Sequence, residues 1–183
     1  MKGIEYLRNK LNKHERRVNL RYRQYDMKYK DLDVGITIPP EIRNRYKAIL
    51  GWCGKGVDSL ADRLVFREFN NDNFELNEIF NMNNPDTFFD SAVLSAMIAS
   101  CCFVYISKGE EVVPRLQVIE ASNATGIIDP ITGLLEEGYA VLERNDMGKP
   151  NLEAHFLVGR TDYYIDGKFS YSIDNIVNYP LLV

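Results

Sequence analysis

The chain has 183 residues, 45% of them hydrophobic and 26% charged, with a formal net charge of −4. That is enough chain to bury a core without covalent staples, and the composition excludes a fibrous or disordered protein. Cys53 and the adjacent Cys101 and Cys102 have neither CxxC nor framework spacing, which fits folding in a reducing cytoplasm, and no uncharged run reaches the 18 residues of a membrane span.

The elements follow in chain order. Met1–Lys13 alternates charge with apolar residues, which argues against a signal peptide. Ile4, Leu7, Leu11, His14 and Val18 share one helical face, predicting a first helix over 2–17, extended at most to Arg23. The polar stretch 22–38, with Tyr22, Tyr25 and Tyr29, reads as an extended arm. Pro39-Pro40 opens a second helix over 40–65, with Ile42, Tyr46, Ile49, Leu50, Cys53, Val57, Leu60, Ala61 and Leu64 as its apolar stripe. Gly51, Gly54 and Gly56 inside that pattern predict a kink or close approach to another backbone. Leu64–Phe69 reads as a short strand. A short helix over 74–82 is expected to turn Phe74, Ile79 and Phe80 inward. Asn84-Pro85-Asp86 is a helix start, with Asn as the cap, and the helix runs to Ala99 with small residues Ser91, Ala92, Ser95, Ala96 and Ala99 for tight contact.

From Cys101 the period changes to two. Strands are predicted over 101–107, 115–120, 125–129, 134–144, 151–158, 161–166 and 168–173, joined as hairpins at 108–111, 145–149 and 166–167. Asp166-Gly167 suits a type I′ turn, and Asp129-Pro130-Ile131-Thr132-Gly133 is a turn capped by Asp129 with Gly133 at positive φ. Phe169, Tyr171 and Ile173 alternate with Ser170, Ser172 and Asp174, which predicts a half-exposed last strand. Helices first and an antiparallel meander second give an α+β fold. The division expected is a basic N-terminal helix and arm over 1–38 and an α+β domain over 39–183.

Charge is distributed unevenly. Residues 1–50 hold 13 Lys and Arg against 6 Asp and Glu, whereas residues 51–183 hold 9 against 20. A basic end on an acidic body suits either nucleic acid or the acidic face of a neighbouring copy. Arg16, Arg17, Arg21 and Arg23, with Tyr22 and Tyr25, are the candidate contact. Three readings stay open: duplex DNA, the body of the next subunit, and a solvated helix face. Catalytic, cofactor and metal readings are weak. His14 and His155 read as structural residues, and Cys101 and Cys102 as core thiols. Lys55 among the glycines does not match the phosphate-loop spacing. Glu136-Glu137 reads as a solvated hairpin, and Asp58 and Asp62 as partners of Lys55 and Arg63 or of water. No enzyme and no cofactor are expected.

With these elements placed, the chain resembles the portal proteins of tailed bacteriophages, in the group common among phages and prophages of Gram-positive bacteria. The residues that carry the resemblance are Arg21–Lys30, Gly35–Pro40, Arg43–Val65, Leu76–Asn84, Ser95–Lys108, Pro114–Glu120, Asn123–Arg144 and Leu152–Tyr164. It covers nearly the whole chain and is most similar to the N-terminal wing. The resemblance implies a structural protein in a homo-oligomeric ring, usually of twelve subunits, at the capsid vertex of the virion. Double-stranded DNA would be packaged and ejected through that ring, with terminase, head–tail connector and capsid proteins as partners and assembly in the host bacterial cytoplasm. No membrane association is implied. Stem, clip and crown are expected beyond residue 183, so the sequence reads as a truncated piece or a broken prophage gene. The alternative is a DNA-binding module acting through the basic N-terminal arm.

Overall fold

A computed structural model describes residues 2–28, 39, 51–107 and 113–183. Among them are four helices: α1 (Ile4–Tyr25), α2 (Trp52–Ala61), α3 (Leu76–Asn81) and α4 (Pro85–Ala99). Seven strands follow: β1 (Cys102–Ser107), β2 (Arg115–Glu120), β3 (Ala124–Ile128), β4 (Leu135–Arg144), β5 (Pro150–Leu157), β6 (Arg160–Ile165) and β7 (Lys168–Asp174). The fold is α+β, with helices beside antiparallel strands, as the change of period predicts.

Strands β3 to β7 form a five-stranded antiparallel meander in sequence order, and β1 and β2 form a separate hairpin. Because side chains alternate across a strand, register sorts the residues into two layers. Tyr139 opposes His155, and His155 opposes Asp162, so these residues with Glu137, Val141 and Glu153 share the face covered by α1. Ala140 opposes Ala154, and Ala154 opposes Tyr163, on the other face. There Ala124, Ala140, Ala154, Phe156 and Tyr163 form the main core with Ile119, Phe103 and Tyr105 of the hairpin. The Tyr105 ring lies 5.1 Å from Phe156, and its hydroxyl is 2.8 Å from that of Tyr163.

The chain's last residues close this layer. Val183 exchanges backbone hydrogen bonds with Val104, and the Leu181 carbonyl accepts from the Ile106 amide of β1, which sets Leu182, fully buried, against the meander. The fit above Gly138 is close: a Cβ there would stand 2.9 Å from a Leu182 methyl group, which would have to shift.

On the opposite face Leu7 and Leu11 of α1 pack on Tyr139 and Val141, and Val18 packs on Ala99 and Ala121. α1 also touches α2 and α4, while α4 lies across β1 and β2. The basic segment is therefore part of the body through residue 25. Tyr22 to Tyr25, expected in an extended arm, are helical because Tyr22 and Tyr25 bond to groups on α4 and α2. His14, placed on the buried face by spacing, is exposed, and its Nδ1 accepts from the Arg17 guanidinium at 3.0 Å.

Other expectations need correction. Residues 40–50 of the second helix, Tyr29 and the hairpin loop over 108–111 lie outside the described residues, and Pro39 is exposed. Within the described part, helix α2 ends at Ala61 and buries Gly54, with Val57 and Ala61 half-buried, while Cys53, Leu60 and Leu64 face solvent. The smallest side points inward because α1 comes close: a Cβ at Gly54 would lie 3.1 Å from the Tyr25 carbonyl oxygen. Residues 64–69 form no strand. Phe66 and Phe69 instead stack on Phe80, at 4.3 and 5.7 Å, and the Asn77 side chain bonds both backbone groups of Phe69, as a strand partner would. Phe74 is exposed rather than inward. Asn84 occupies the cap position of α4 at φ 51° without a side-chain cap. β7, expected to be half-buried, is exposed at all seven residues because it is the edge strand.

The two turns read from the sequence form as expected. Asp166 and Gly167 both take positive φ, 49° and 77°. The Asp129 carboxylate accepts from the Ile131 amide and the Thr132 hydroxyl, with Gly133 at φ 73°.

Candidate functional site

The four candidate arginines lie on α1 and separate into two kinds. Arg21 reaches the end of α4, donating to the Ala99 carbonyl at 2.8 Å and to Ser100 Oγ at 2.7 Å. It satisfies a terminal carbonyl and places a cation at the negative end of the helix dipole. Arg17 meets His14. Arg16 and Arg23 are exposed and make no ion pair among the described residues. The aromatic partners are also spent inside the fold. Tyr22 hydroxyl bonds Ser95 Oγ at 3.0 Å. Tyr25 donates to Asp58 at 2.7 Å, and that carboxylate, with burial second, pushes its pKa up to about 12.

Position on the helix explains the division. Residues 6, 9, 13, 16, 20 and 23 recur every three or four places and point away from Leu7, Leu11 and Val18. That outer stripe reads Tyr6, Asn9, Lys13, Arg16, Leu20 and Arg23, with the exposed Glu5 beside its first turn, paired with Arg8 at 2.6 Å. The other acid of α1, Glu15, pairs with Arg144 at 3.3 Å.

Beneath α1 lies a polar layer that spacing did not reveal. Glu153, only 3% exposed, accepts two bonds from Arg8, at 3.1 Å from Nε and 2.6 Å from Nη2, and a third from the Tyr139 hydroxyl. Burial and then Glu153 hold the Tyr139 phenol far above its ordinary pKa. Glu137, 1% exposed, caps the start of the helix: its carboxylate accepts the Lys2 amide at 2.7 Å and the Gly3 amide at 3.2 Å. Burial pushes the Glu137 pKa up, but the two amides and His155 outweigh it and hold the group below the usual carboxylate range. The solvated-hairpin reading therefore holds for exposed Glu136 and fails for Glu137. His155 Nε2 stands 3.5 Å from Glu137, and burial lowers the imidazole pKa despite that neighbour, so the ring is neutral at pH 7. Arg160 pairs with Asp162 at 2.9 Å beside it.

A histidine between two carboxylates is acid–base chemistry in outline, but Glu137, His155 and Asp162 are all buried. Glu137 is committed to the start of α1. The signal available in the sequence was the polar alternation Glu137, Tyr139 and Glu153, His155 within otherwise apolar strands, which fits an inward polar face as well as a solvent face.

The remaining candidates stay apart. Cys101 is exposed and Cys102 half-buried on β1, against the expectation of two core thiols, because the helix-to-strand passage at Ser100 turns Cys101 outward. His155 sits on β5 under α1 and is not brought to them. Lys55, Asp58, Asp62 and Arg63 form no ion pair among the described residues, and Asp58 serves Tyr25 instead. Among the described residues no three His, Cys, Asp or Glu side chains gather as a metal site, and no helix is long and apolar enough to cross a membrane.

The surface offers more to macromolecules than to small ligands. Trp52 is 83% exposed and Ile131 92%, with Val65, Phe74, Met147 and Ile176 also open to solvent. Edge strand β7 adds Phe169, Tyr171 and Ile173. Comparison with models of known protein families finds no match to the chain, and comparison with curated proteins finds none either.

Proposed function

We infer that the chain is the N-terminal wing part of a bacteriophage portal protein, a structural element of the ring at the capsid vertex with no catalytic step of its own. The observation that carries this reading is the surface. A body with a fully formed core leaves an edge strand and several large apolar side chains uncovered, and such surfaces mark contacts with other macromolecules. The resemblance in block order along the sequence supplies the identity of the assembly. A rigid α+β wedge, with α1 fastened to the meander through Arg8–Glu153 and the Glu137 cap, suits a part whose work is geometric. On this reading the virion is its location, and its partners are further copies, terminase, head–tail connector and capsid proteins.

The exposed cations Arg16 and Arg23 favour a second reading, a module binding the phosphates of double-stranded DNA. Electron microscopy of the full-length gene product tests the first. Rings are expected, and a product that stays monomeric under phage-assembly conditions refutes it. Micromolar duplex binding by the present chain, lost on raising salt and on reversing Arg16, Arg17, Arg21 and Arg23 to Glu, would favour the second.

A further inference from the structure

An open groove among the described residues lies between the 64–68 segment, α3 and the start of α4. It has a volume of about 500 Å³. Phe66, Phe80 and Phe89 line its floor, with the ring centroids of Phe80 and Phe89 at 4.3 and 5.9 Å from Phe66. Glu68, Asp86 and Asp90 stand on its rim, all exposed and without an ion pair among the described residues, and Arg67 is the one cation there. An apolar, aromatic floor under a predominantly acidic rim is the complement of a cationic helix face carrying an aliphatic residue.

This chain presents such a face. Arg16, Leu20 and Arg23 follow one another along the outer stripe of α1, and Leu20 is 54% exposed. Arg16 and Arg23 are about 10 Å apart along the axis at 1.5 Å per residue. Asp86 and Asp90 are one turn apart on α4, near enough to receive both. Leu20 would enter the aromatic floor, and a guanidinium beside Phe66 or Phe89 gains a cation–π contact as well as a carboxylate.

We propose that the Arg16–Leu20–Arg23 stripe of one copy docks in the Phe66–Phe89 groove of a second copy. The contact deepens the assembly reading given above and rests on it. Stripe and groove are different surfaces, so the contact is heterologous: each copy keeps one free stripe or one free groove, and growth continues past the dimer.

Sedimentation velocity of the 183-residue chain, at low and high salt over a concentration series, tests it together with Arg16→Gln/Arg23→Gln and Asp86→Asn/Asp90→Asn. Wild type should grow with concentration at low salt, and each double variant should lose association at least tenfold with an unchanged circular dichroism spectrum. A one-to-one mixture of the two variants retains one intact stripe and one intact groove, and should form dimers and nothing larger. A wild-type chain that stays monomeric throughout overturns the proposal. So does undiminished association of the Asp86→Asn/Asp90→Asn variant, which would move the contact to another surface such as β7. Loss of duplex binding by Arg16→Gln/Arg23→Gln without self-association in wild type would assign the stripe to DNA and overturn it too. Rings formed by the full-length product carrying Asp86→Asn/Asp90→Asn would sink this contact and leave the portal reading standing. A full-length product without rings, beside a chain that associates in the predicted pattern, would do the reverse.

Discussion

Replacing Arg8 by Ala removes the cation that holds α1 to the sheet. Glu153 is 3% exposed and loses the bonds at 2.6 and 3.1 Å, keeping only the Tyr139 hydroxyl. A buried carboxylate stripped of its partner destabilises a fold by about 3–5 kcal/mol. The exposed Glu5 contact adds little, a few tenths of a kcal/mol at most. Against a total stability of about 5–15 kcal/mol this is a large fraction. With a urea slope of about 2 kcal/mol/M, the unfolding midpoint should fall by about 1.5–2.5 M. Adding Glu153→Gln to the Arg8→Ala background removes the buried charge and should restore about half of the loss. The measurement is urea unfolding by circular dichroism for the four members of the cycle at pH 7. An Arg8→Ala loss under about 1 kcal/mol, or no recovery from Glu153→Gln, would show that the ion pair does not hold the helix.

Three further outcomes follow from the same structure. The folded pKa values of both Glu137 and His155 lie below their ordinary values, so each contributes stability that is present above its unfolded pKa and lost as pH falls through the folded one. Wild-type stability should decline from about pH 6.5 downward, and His155→Gln should remove the upper part of that decline, as read by thermal melts from pH 8 to pH 4. Gly56→Ala meets nothing within 4 Å and should raise stability by up to about 1 kcal/mol, whereas Gly54→Ala presses on the Tyr25 carbonyl at 3.1 Å and should lower the melting temperature. A thiol reagent under native conditions should modify Cys53 and Cys101 quickly and Cys102 slowly, since burial raises the Cys102 pKa; peptide mapping of the labelled protein reads the order.

The strands were legible because period two is an unambiguous signal when hairpin turns punctuate it. All seven strands predicted from residue 101 onward lie within one residue of those observed at each end, and Asp166-Gly167 sets the last hairpin through its backbone conformation. What escaped was tertiary. Leu64–Phe69 has strand composition but finds no strand partner, and Asn77 answers its backbone instead. Asn83, buried, bonds the Ile79 and Pro114 carbonyls and the Leu116 amide, tying α3 to β2; nothing in a lone asparagine announces that. Glu137 reads in sequence as part of a solvated hairpin, and Glu153 carries no signal of its own. A sequence gives the alternation of a strand but not what covers each face, and here a basic helix covers the polar one. For the candidate contact, the sequence located the cluster of arginines, yet only the packing of α1 separated inward Arg21 from outward Arg16 and Arg23.

The piece that seals the core follows, in chain order, every strand that it covers. Leu182 fills the space over Gly138 and its neighbours pair with β1, so every strand of the meander is synthesised before the residue that completes its inner layer exists. During translation the Phe156 and Tyr105 side of the sheet stays wet, and a nascent chain is exposed to misassembly until residues 181–183 emerge. Timing of synthesis, and not only the final energy, thus becomes part of how this polypeptide reaches its native form.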